Sequence, residues 1–413
     1  MGFPDSHIVP PQGGRLDAKG PNYSMSHFRW VLVTGEYPPQ PGGVSDYTQL
    51  IAGGLACAGD EVHVWAPAPS TSQPAPTDAG VTVHWLPGRF CRRDLANLDR
   101  FLSRMPGRCR LLVQYVPHAF GCKGMNVPFC WWLNRRLEPV WVMFHEVAFP
   151  LSRKQPLRYN FLGMVTRLMA GLVARRAERI FVAIPGWEAL LPKSGRARYS
   201  VNWLPVPSNL PTTVSADAVA ALRKQVVREN QLLFGHFGTY GPHVTSLLAR
   251  ILPPLLAKES SRRVLLLGKG SKEFATIIGN ENPSLRGQVD ATGPLGPREM
   301  AVHLAACDCL VQPYADGVSS RRTSVMAGLA LGLPIVTNAG PLTDSVWRET
   351  RAVLLAPSPS PADLIDAFEN LLAEPRRLAE IRQRALSLYE RYFALPRTIE
   401  ILRTETATHD LAS

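Results

Sequence analysis

The feature that most restricts this chain is a rhythm that runs, stops and starts again. Short apolar runs rich in β-branched and aromatic residues fall at Phe28–Val33, Glu61–Trp65, Val81–Leu86, Arg110–Tyr115, Val140–Phe144 and Arg179–Ala183. Helical patterns lie between them, at Asp46–Ala58, Arg92–Arg104, Met125–Arg135 and Pro156–Ala177. Such alternation predicts a parallel sheet with helices on both faces. The segment NWLPVPSNLPTT, residues 202–213, then breaks the rhythm. Prolines this dense continue neither a helix nor a central strand, so the segment reads as a linker. Beyond it the runs resume at Leu232–Phe237, Arg263–Leu267, Gln288–Ala291, Asp308–Gln312, Pro334–Thr337 and Ala352–Leu355, and helices at Pro361–Leu372 and Pro375–Arg391 close the pattern. The expectation is an α/β protein of two consecutive doubly wound domains facing a central cleft, with ligands beyond the carboxyl ends of the strands.

Length agrees, because 413 residues exceed one ordinary core. The expected parts are a disordered leader at 1–27, domains at 28–205 and 206–392, and a C-terminal helix and tail at 393–413 packing back towards the first domain. No run of about 18 apolar residues occurs, so no membrane-spanning helix is expected, and the leader lacks the apolar core of a secretion signal. The seven cysteines are scattered without metal-type spacing, which reads as free thiols in a reducing cytoplasm. The formal net charge of +12 points to anionic partners. Nucleic acid is disfavoured among them, because no recognition motif and no interleaving of basic and aromatic residues is present.

Four places carry chemistry. In TGEYPPQPGGVSDYT a strand ends at Thr34, and Gly42 and Gly43 precede a helix start near Ser45 and Asp46. Glycines allow close backbone approach, and amides at a helix start favour an anion; a plain loop with glycines for geometry is the alternative. In VWVMFHEVAFP, His145 and Glu146 emerge together at the end of an otherwise apolar strand, either as working groups or as a hydrogen-bonded edge pair. Lys269 stands between two glycines in LLLGKGS, as a point charge for a diphosphate or as a solvated turn. In PYADGVSSRRTSVMAGLALGLPIVTN, Gly317, Val318 and Ser319 would present amides to a phosphate, Arg321 and Arg322 would add charge, and Asp316 would accept from sugar hydroxyls. A helix capped by Ser319 or Ser320 is the structural alternative, although arginines in a first turn oppose the helix dipole.

Taken in order, YPPQPGGVSDYT, the FHE strand end, GPLGPREMAVHLAACDCLVQPYADG and GLALGLPIVTN resemble the retaining glycosyltransferases of the GT-B fold, family four, group 1 type, with two Rossmann-like domains. The resemblance spans roughly residues 28–392. It implies a nucleotide diphosphate sugar as donor and a saccharide, lipid-linked or small-molecule acceptor. It also implies retention of anomeric configuration, with no metal and no cofactor. By position, Gly42 and Gly43 would contact the donor, His145 would lie over the reacting sugar, and Gly293 to Leu295 would shape the base pocket. Gly317 to Ser319 would hold the diphosphate, and Asp316 would take the place of the acid that binds the transferred sugar. Glu146 and Tyr240 fall on the acceptor and sugar side.

The chain departs from the family at three points. Ala327 stands where a ribose-binding carboxylate is usual, Asp316 lies eleven positions before it rather than eight, and GTYGPHV lacks the usual Arg and Lys. These departures keep two rivals open: a sugar-nucleotide epimerase or hydrolase on the same frame, and a sugar-nucleotide-binding protein without turnover. One further expectation concerns the helix around 152–179. Phe161, Leu162, Val165, Leu168, Met169 and Leu172 repeat at helical spacing beside many arginines. That reads either as ordinary packing on the sheet or as peripheral contact with an anionic membrane.

Overall fold

The computed structural model describes residues 27–69, 79–105, 107, 109–191, 201–228 and 230–404. The expected leader lies outside the described residues except for His27, whose ring meets the Gly59 carbonyl at 2.7 Å. The chain divides into two compact units, residues 1–204 with 399–413, and residues 205–398.

The first unit runs β1 (Arg29–Thr34), α1 (Gly43–Cys57), β2 (Glu61–Pro67), β3 (Val81–Leu86), α2 (Arg92–Arg104), β4 (Arg110–Tyr115), α3 (Val127–Asn134), β5 (Val140–Phe144), α4 (Leu157–Arg176), β6 (Arg179–Val182) and β7 (Val201–Trp203). Its strands are ordered β3-β2-β1-β4-β5-β6-β7, and every pairing is parallel. Parallel strands covered on both faces become continuous apolar runs. Trp30–Val33 and Val140–Phe144 are accordingly buried throughout, each such side chain stabilising the fold by about 1.5–3 kcal/mol.

The second unit repeats the plan with α5 (Ala216–Val226), β8 (Leu232–Phe237), α6 (Pro242–Lys258), β9 (Arg262–Leu267), α7 (Ser271–Glu281), β10 (Val289–Ala291), α8 (Pro297–Ala305) and β11 (Cys309–Gln312). It continues with α9 (Thr323–Ala330), β12 (Ile335–Asn338), α10 (Val346–Thr350), β13 (Leu354–Ala356), α11 (Pro361–Ala373) and α12 (Pro375–Leu388), and α13 (Leu395–Arg403) begins in this unit and ends in the first. The strand order is β10-β9-β8-β11-β12-β13. In each sheet the winding reverses between the first and fourth strands, β1 and β4 or β8 and β11. Open α/β sheets bind ligands beyond the carboxyl ends at such a point.

Two boundaries differ from expectation. The linker was expected to begin at Asn202, yet Asn202 and Trp203 pair with β6 as an edge strand. The strand stops just before Pro205, which has no amide to offer a ladder. The rest of the joint is packed onto the second unit: Val206 N donates to Ser320 O at 3.1 Å, and Ser208 N to the Tyr389 hydroxyl at 3.3 Å. At the other end the division falls at residue 398 rather than 392, because Phe393 stacks on Trp347 within the second unit. Residues 399–404 rejoin the first unit. There Arg403 pairs with buried Asp60 at 3.1 Å, and Arg179 donates to the carbonyls of Ile401 and Thr404.

Candidate active site

Polar groups gather at the carboxyl edge of each sheet, and the two edges are built differently. After β1, the amides of Val44 and Ser45 at the start of α1 both donate to Glu36 Oε1 at 3.0 Å. An anion at a helix start is favourable by about 0.3–1 kcal/mol, and here the protein's own carboxylate supplies it. The expectation that these amides await a substrate anion is corrected accordingly. Gly42 is explained by the same contact, since a Cβ there would stand 2.3 Å from Glu36 Oε1. Gly43 differs, because a Cβ on it would meet nothing within 4 Å.

Next along the edge is His145, just past β5. Its amide donates to Tyr115 O at 3.0 Å, and its Nε2–H donates to Gln114 Oε1 at 2.8 Å. Tyr47 of α1 meets the imidazole edge-on at 4.7 Å between centroids. Burial pushes the His145 pKa down to about 3, so the ring is neutral at physiological pH and acts without charge. Glu146 does not accompany it. That carboxylate is well exposed and faces His118 Nδ1 at 3.6 Å, so the two residues that emerge together in sequence part in space.

At the second edge, β11 leads into the turn holding Asp316 to Arg322. Asp316 receives both guanidiniums: Arg321 Nη2 at 3.3 Å and a short contact from Arg322 Nη2. Arg322 also lies over the Tyr314 ring at 4.5 Å, while the Tyr314 hydroxyl is bonded to Ser324 at 2.7 Å. The helix starts only at Thr323. The arginines precede it, with Arg322 at the N-cap position, and the Asp316 carboxylate offsets their charge against the helix dipole; neither Ser319 nor Ser320 caps the helix. Two of the three amides of the expected cradle are engaged within the protein, Gly317 N with Tyr314 O and Val318 N with Asn338 O. Ser319 is fully buried with its hydroxyl unpartnered. Gly317 is left-handed (φ 84°), and a Cβ on it would meet Gly340 N at 2.4 Å, so the close passage of two loops demands this glycine. Ser320 N donates to Asp344 Oδ2 at 2.7 Å, and burial raises Asp344 to about 6.

Ala327 is buried in α9. A Cβ on its neighbour Gly328 would press Ile335 and Leu310 at 2.8 Å, so α9 lies tight on β11 and β12. The small pair is a packing feature, and a carboxylate at Ala327 would be buried rather than presented.

The loops after β8, β9 and β10 are tied together. Gly268 (φ 106°) lets the loop after β9 pass Gly238 O, which a Cβ would approach at 2.3 Å. This leaves Lys269 exposed beyond it. Ser271 Oγ accepts from Gly293 N at 2.9 Å, fixing the loop that carries half-buried Leu295. Tyr240 is corrected from a sugar-side group to a core residue: it is buried, and its hydroxyl donates to His236 O at 3.0 Å. Among the described residues no group of three His, Cys, Asp or Glu could hold a metal ion.

Sequence reading missed four residues: Glu36, Asp344, Gln114 and Gln312. The two glutamines were detectable as single amides ending the apolar runs RLLVQY and CLVQ. Gln114 and Gln312 are fully buried, and Gln312 has no partner for either end of its amide. Glu36 shows in sequence only as an acid between a strand end and a glycine pair.

Two Rossmann-like units in series, each with its polar edge at the reversal of winding, define the class as doubly wound α/β proteins of two domains. Residues 42–207 match the family model described as Glycosyl transferase 4-like domain, and residues 231–374 match Glycosyl transferases group 1. The chain belongs to the GT-B glycosyltransferases of family-four type. No curated protein matches it in sequence. Among solved structures it is similar to the sucrose-phosphate synthase of Thermosynechococcus elongatus, at 15% identity and TM-score 0.68 over 91% of this chain and 97% of that one. A glycosyltransferase from Rickettsia africae ESF-5 gives 11% and 0.68 over 92% and 100%. Anabaena HepE, solved with UDP and glucose, gives 15% and 0.64 over 91% and 98%. At these identities the likeness establishes the fold alone.

Proposed function

We propose that this protein transfers a glycosyl group from a nucleotide diphosphate sugar to a saccharide, lipid-linked or small-molecule acceptor, with retention at the anomeric carbon. The observation that carries the donor reading is the pair Arg321 and Arg322 held together on the carboxylate of Asp316. Two guanidiniums stand together at the strand edge where such folds bind nucleotides, and guanidinium forks match phosphate oxygens. Asp316 then orients the two forks at the edge where the diphosphate lies. Lys269 adds a point charge from the loop after β9. Charge developing on the leaving diphosphate is stabilised by these fixed cations, with no metal required.

In this reading the glycosidic C–O bond to phosphate breaks as the acceptor oxygen bonds to the same face of the anomeric carbon. The departing phosphate oxygen takes the acceptor's proton. His145, neutral and held by Gln114, positions the sugar rather than exchanging its proton. HepE was solved with UDP, which makes uridine diphosphate sugars the first donors to try.

The test is a thermal-shift screen of UDP-, GDP- and ADP-sugars, followed by incubation with acceptors in chelator and NMR assignment of the product anomer. A glycoside with the donor's configuration supports the proposal. Isomerised or merely hydrolysed donor would replace it with the epimerase or hydrolase reading. Stabilisation without turnover would leave a binding protein.

A further inference from the structure

We infer that α4 docks this protein on an anionic membrane surface, lying in the plane of the lipid headgroups. The helix has two apolar faces and needs only one for its own fold. Gly163, Thr166, Met169, Ala170, Val173 and Ala174 are its buried residues. On the opposite side Leu157 is 85% exposed, and Phe161, Met164 and Leu168 are each 56% exposed. These four recur at intervals of four, three and four residues, which sets them in one line along about 16 Å of helix.

This line is not the stripe expected from sequence. Of that stripe only Phe161 and Leu168 point outward, Met169 is buried, and Leu162, Val165 and Leu172 are half-buried. Exposed apolar side chains also occur on elements next to α4 in the chain. Most of the exposed large apolar side chains among the described residues fall between residues 131 and 168, including Leu151 and the 60% exposed Trp131. Trp131 belongs to α3, which is tied to α4 through Asn134 Nδ2 and Leu172 O at 2.9 Å. The guanidinium of Arg135 lies 5.3 Å from its ring.

Charge selects the occupant. Arg153, Lys154 and Arg158 stand exposed at the start of the helix and Arg175 at its end, and no acid occurs in residues 151–177. A second copy of this chain would bring the same cations to the same patch and repel it. An apolar line flanked by cations, with a tryptophan beside it, suits the boundary between acyl chains and anionic headgroups. Among the described residues no helix is long and apolar enough to cross a membrane, so the contact is one of lying on the surface.

The test uses the full chain and sedimentation with vesicles, either of phosphatidylcholine alone or of equal parts phosphatidylcholine and phosphatidylglycerol. Binding to the mixed vesicles at low salt is expected, weakened about tenfold or more by high salt or by omitting phosphatidylglycerol. Phe161→Ser with Leu168→Ser should weaken it by a similar factor while leaving the circular dichroism spectrum unchanged. Leu157→Ser, at the most exposed position, serves as the second variant should the double one unfold. A parent protein that stays in the supernatant at low salt overturns the proposal. So does a folded variant that binds as well as the parent, or a stripe that proves to mediate self-association without vesicle binding. The readout involves no sugar transfer, so its failure is distinct from failure of the proposed reaction.

Discussion

The carboxyl edges of the two sheets start from one plan and end with different side chains in charge of their donors. The first is closed on itself. Glu36 occupies the start of α1, and the one buried histidine is neutral and bonded to Gln114. The second presents basic side chains, with Arg321 and Arg322 both on the carboxylate of Asp316 and Lys269 exposed. The same strand-to-loop geometry therefore does not confer the same binding. Whether an edge can take an anion depends on which side chains have already claimed its donors.

This contrast is broken most forcefully at the arginine pair. Arg321→Ala with Arg322→Ala should raise the donor dissociation constant roughly tenfold to a hundredfold, the worth of a lost charge-assisted contact. Neither side chain belongs to the apolar core, so the melting temperature should change little. Isothermal titration with nucleoside diphosphates reads the affinity directly. Unaltered binding in the double variant would remove the distinction between the edges.

Much of this architecture is legible in the sequence, for a physical reason. Strands buried on both faces must be apolar throughout, so Val140–Phe144 and Arg110–Tyr115 fall where the runs place them. The short edge strand Val201–Trp203 escapes notice because three residues beside prolines carry no pattern. The strand-end positions of the candidate groups are legible too, since the glycines, His145 and the arginine turn all follow strands. What each group bonds to is not. Local spacing shows amides at the start of α1 but not that Glu36 has folded back onto them. Tyr240 looks available in GTYGPHV, yet a left-handed backbone (φ 54°) accompanies its burial under the sheet. Such outcomes depend on contacts between loops, which one-dimensional patterns do not encode.

The edges should also differ in the sign of their response to pH. His145 is held down to about 3 by burial, against an ordinary 6.5. The stability it contributes is present above pH 6.5 and is lost as pH falls towards 3. Asp344 is raised to about 6 from 3.8, so its contribution is present below about pH 4 and is lost as pH rises through 6. Asp344→Asn, which keeps an oxygen for Ser320 N, should therefore stabilise the protein at pH 8 by on the order of 1–3 kcal/mol and do little at pH 4. Urea melts at both pH values check this; a larger gain at pH 4 would reverse the assigned sign. The turnover profile should likewise show no limb at pH 6.5 attributable to His145.

A smaller effect separates the two glycines of the first edge. Gly42→Ala should displace Glu36 and cost about 1–2 kcal/mol through the two amides it caps. Gly43→Ala has open space and a helical position, so it should leave stability unchanged or raise it by up to about 1 kcal/mol. If Gly43→Ala nonetheless lowers turnover, a substrate approaches that backbone, and the first edge is less closed than its hydrogen bonds imply. Equal losses of stability in the two variants would contradict the contact geometry.

The least change is expected at Tyr240, where the second edge is tested for a polar contribution separate from its charges. The hydroxyl lies 3.0 Å from His236 O, and the ring is packed edge-on against His236 at 5.2 Å and beside Phe274 at 5.6 Å. Tyr240→Phe keeps those ring contacts and removes one neutral hydrogen bond, a loss of about 0.5–1.5 kcal/mol in stability. Donor affinity and turnover should stay at parent values, because the hydroxyl is turned inward to a backbone carbonyl. A folded Tyr240→Phe that binds donor or acceptor more weakly would mean that the hydroxyl leaves His236 when substrate arrives. The second edge would then recognise its ligand through a neutral donor as well as through the Arg321 and Arg322 pair.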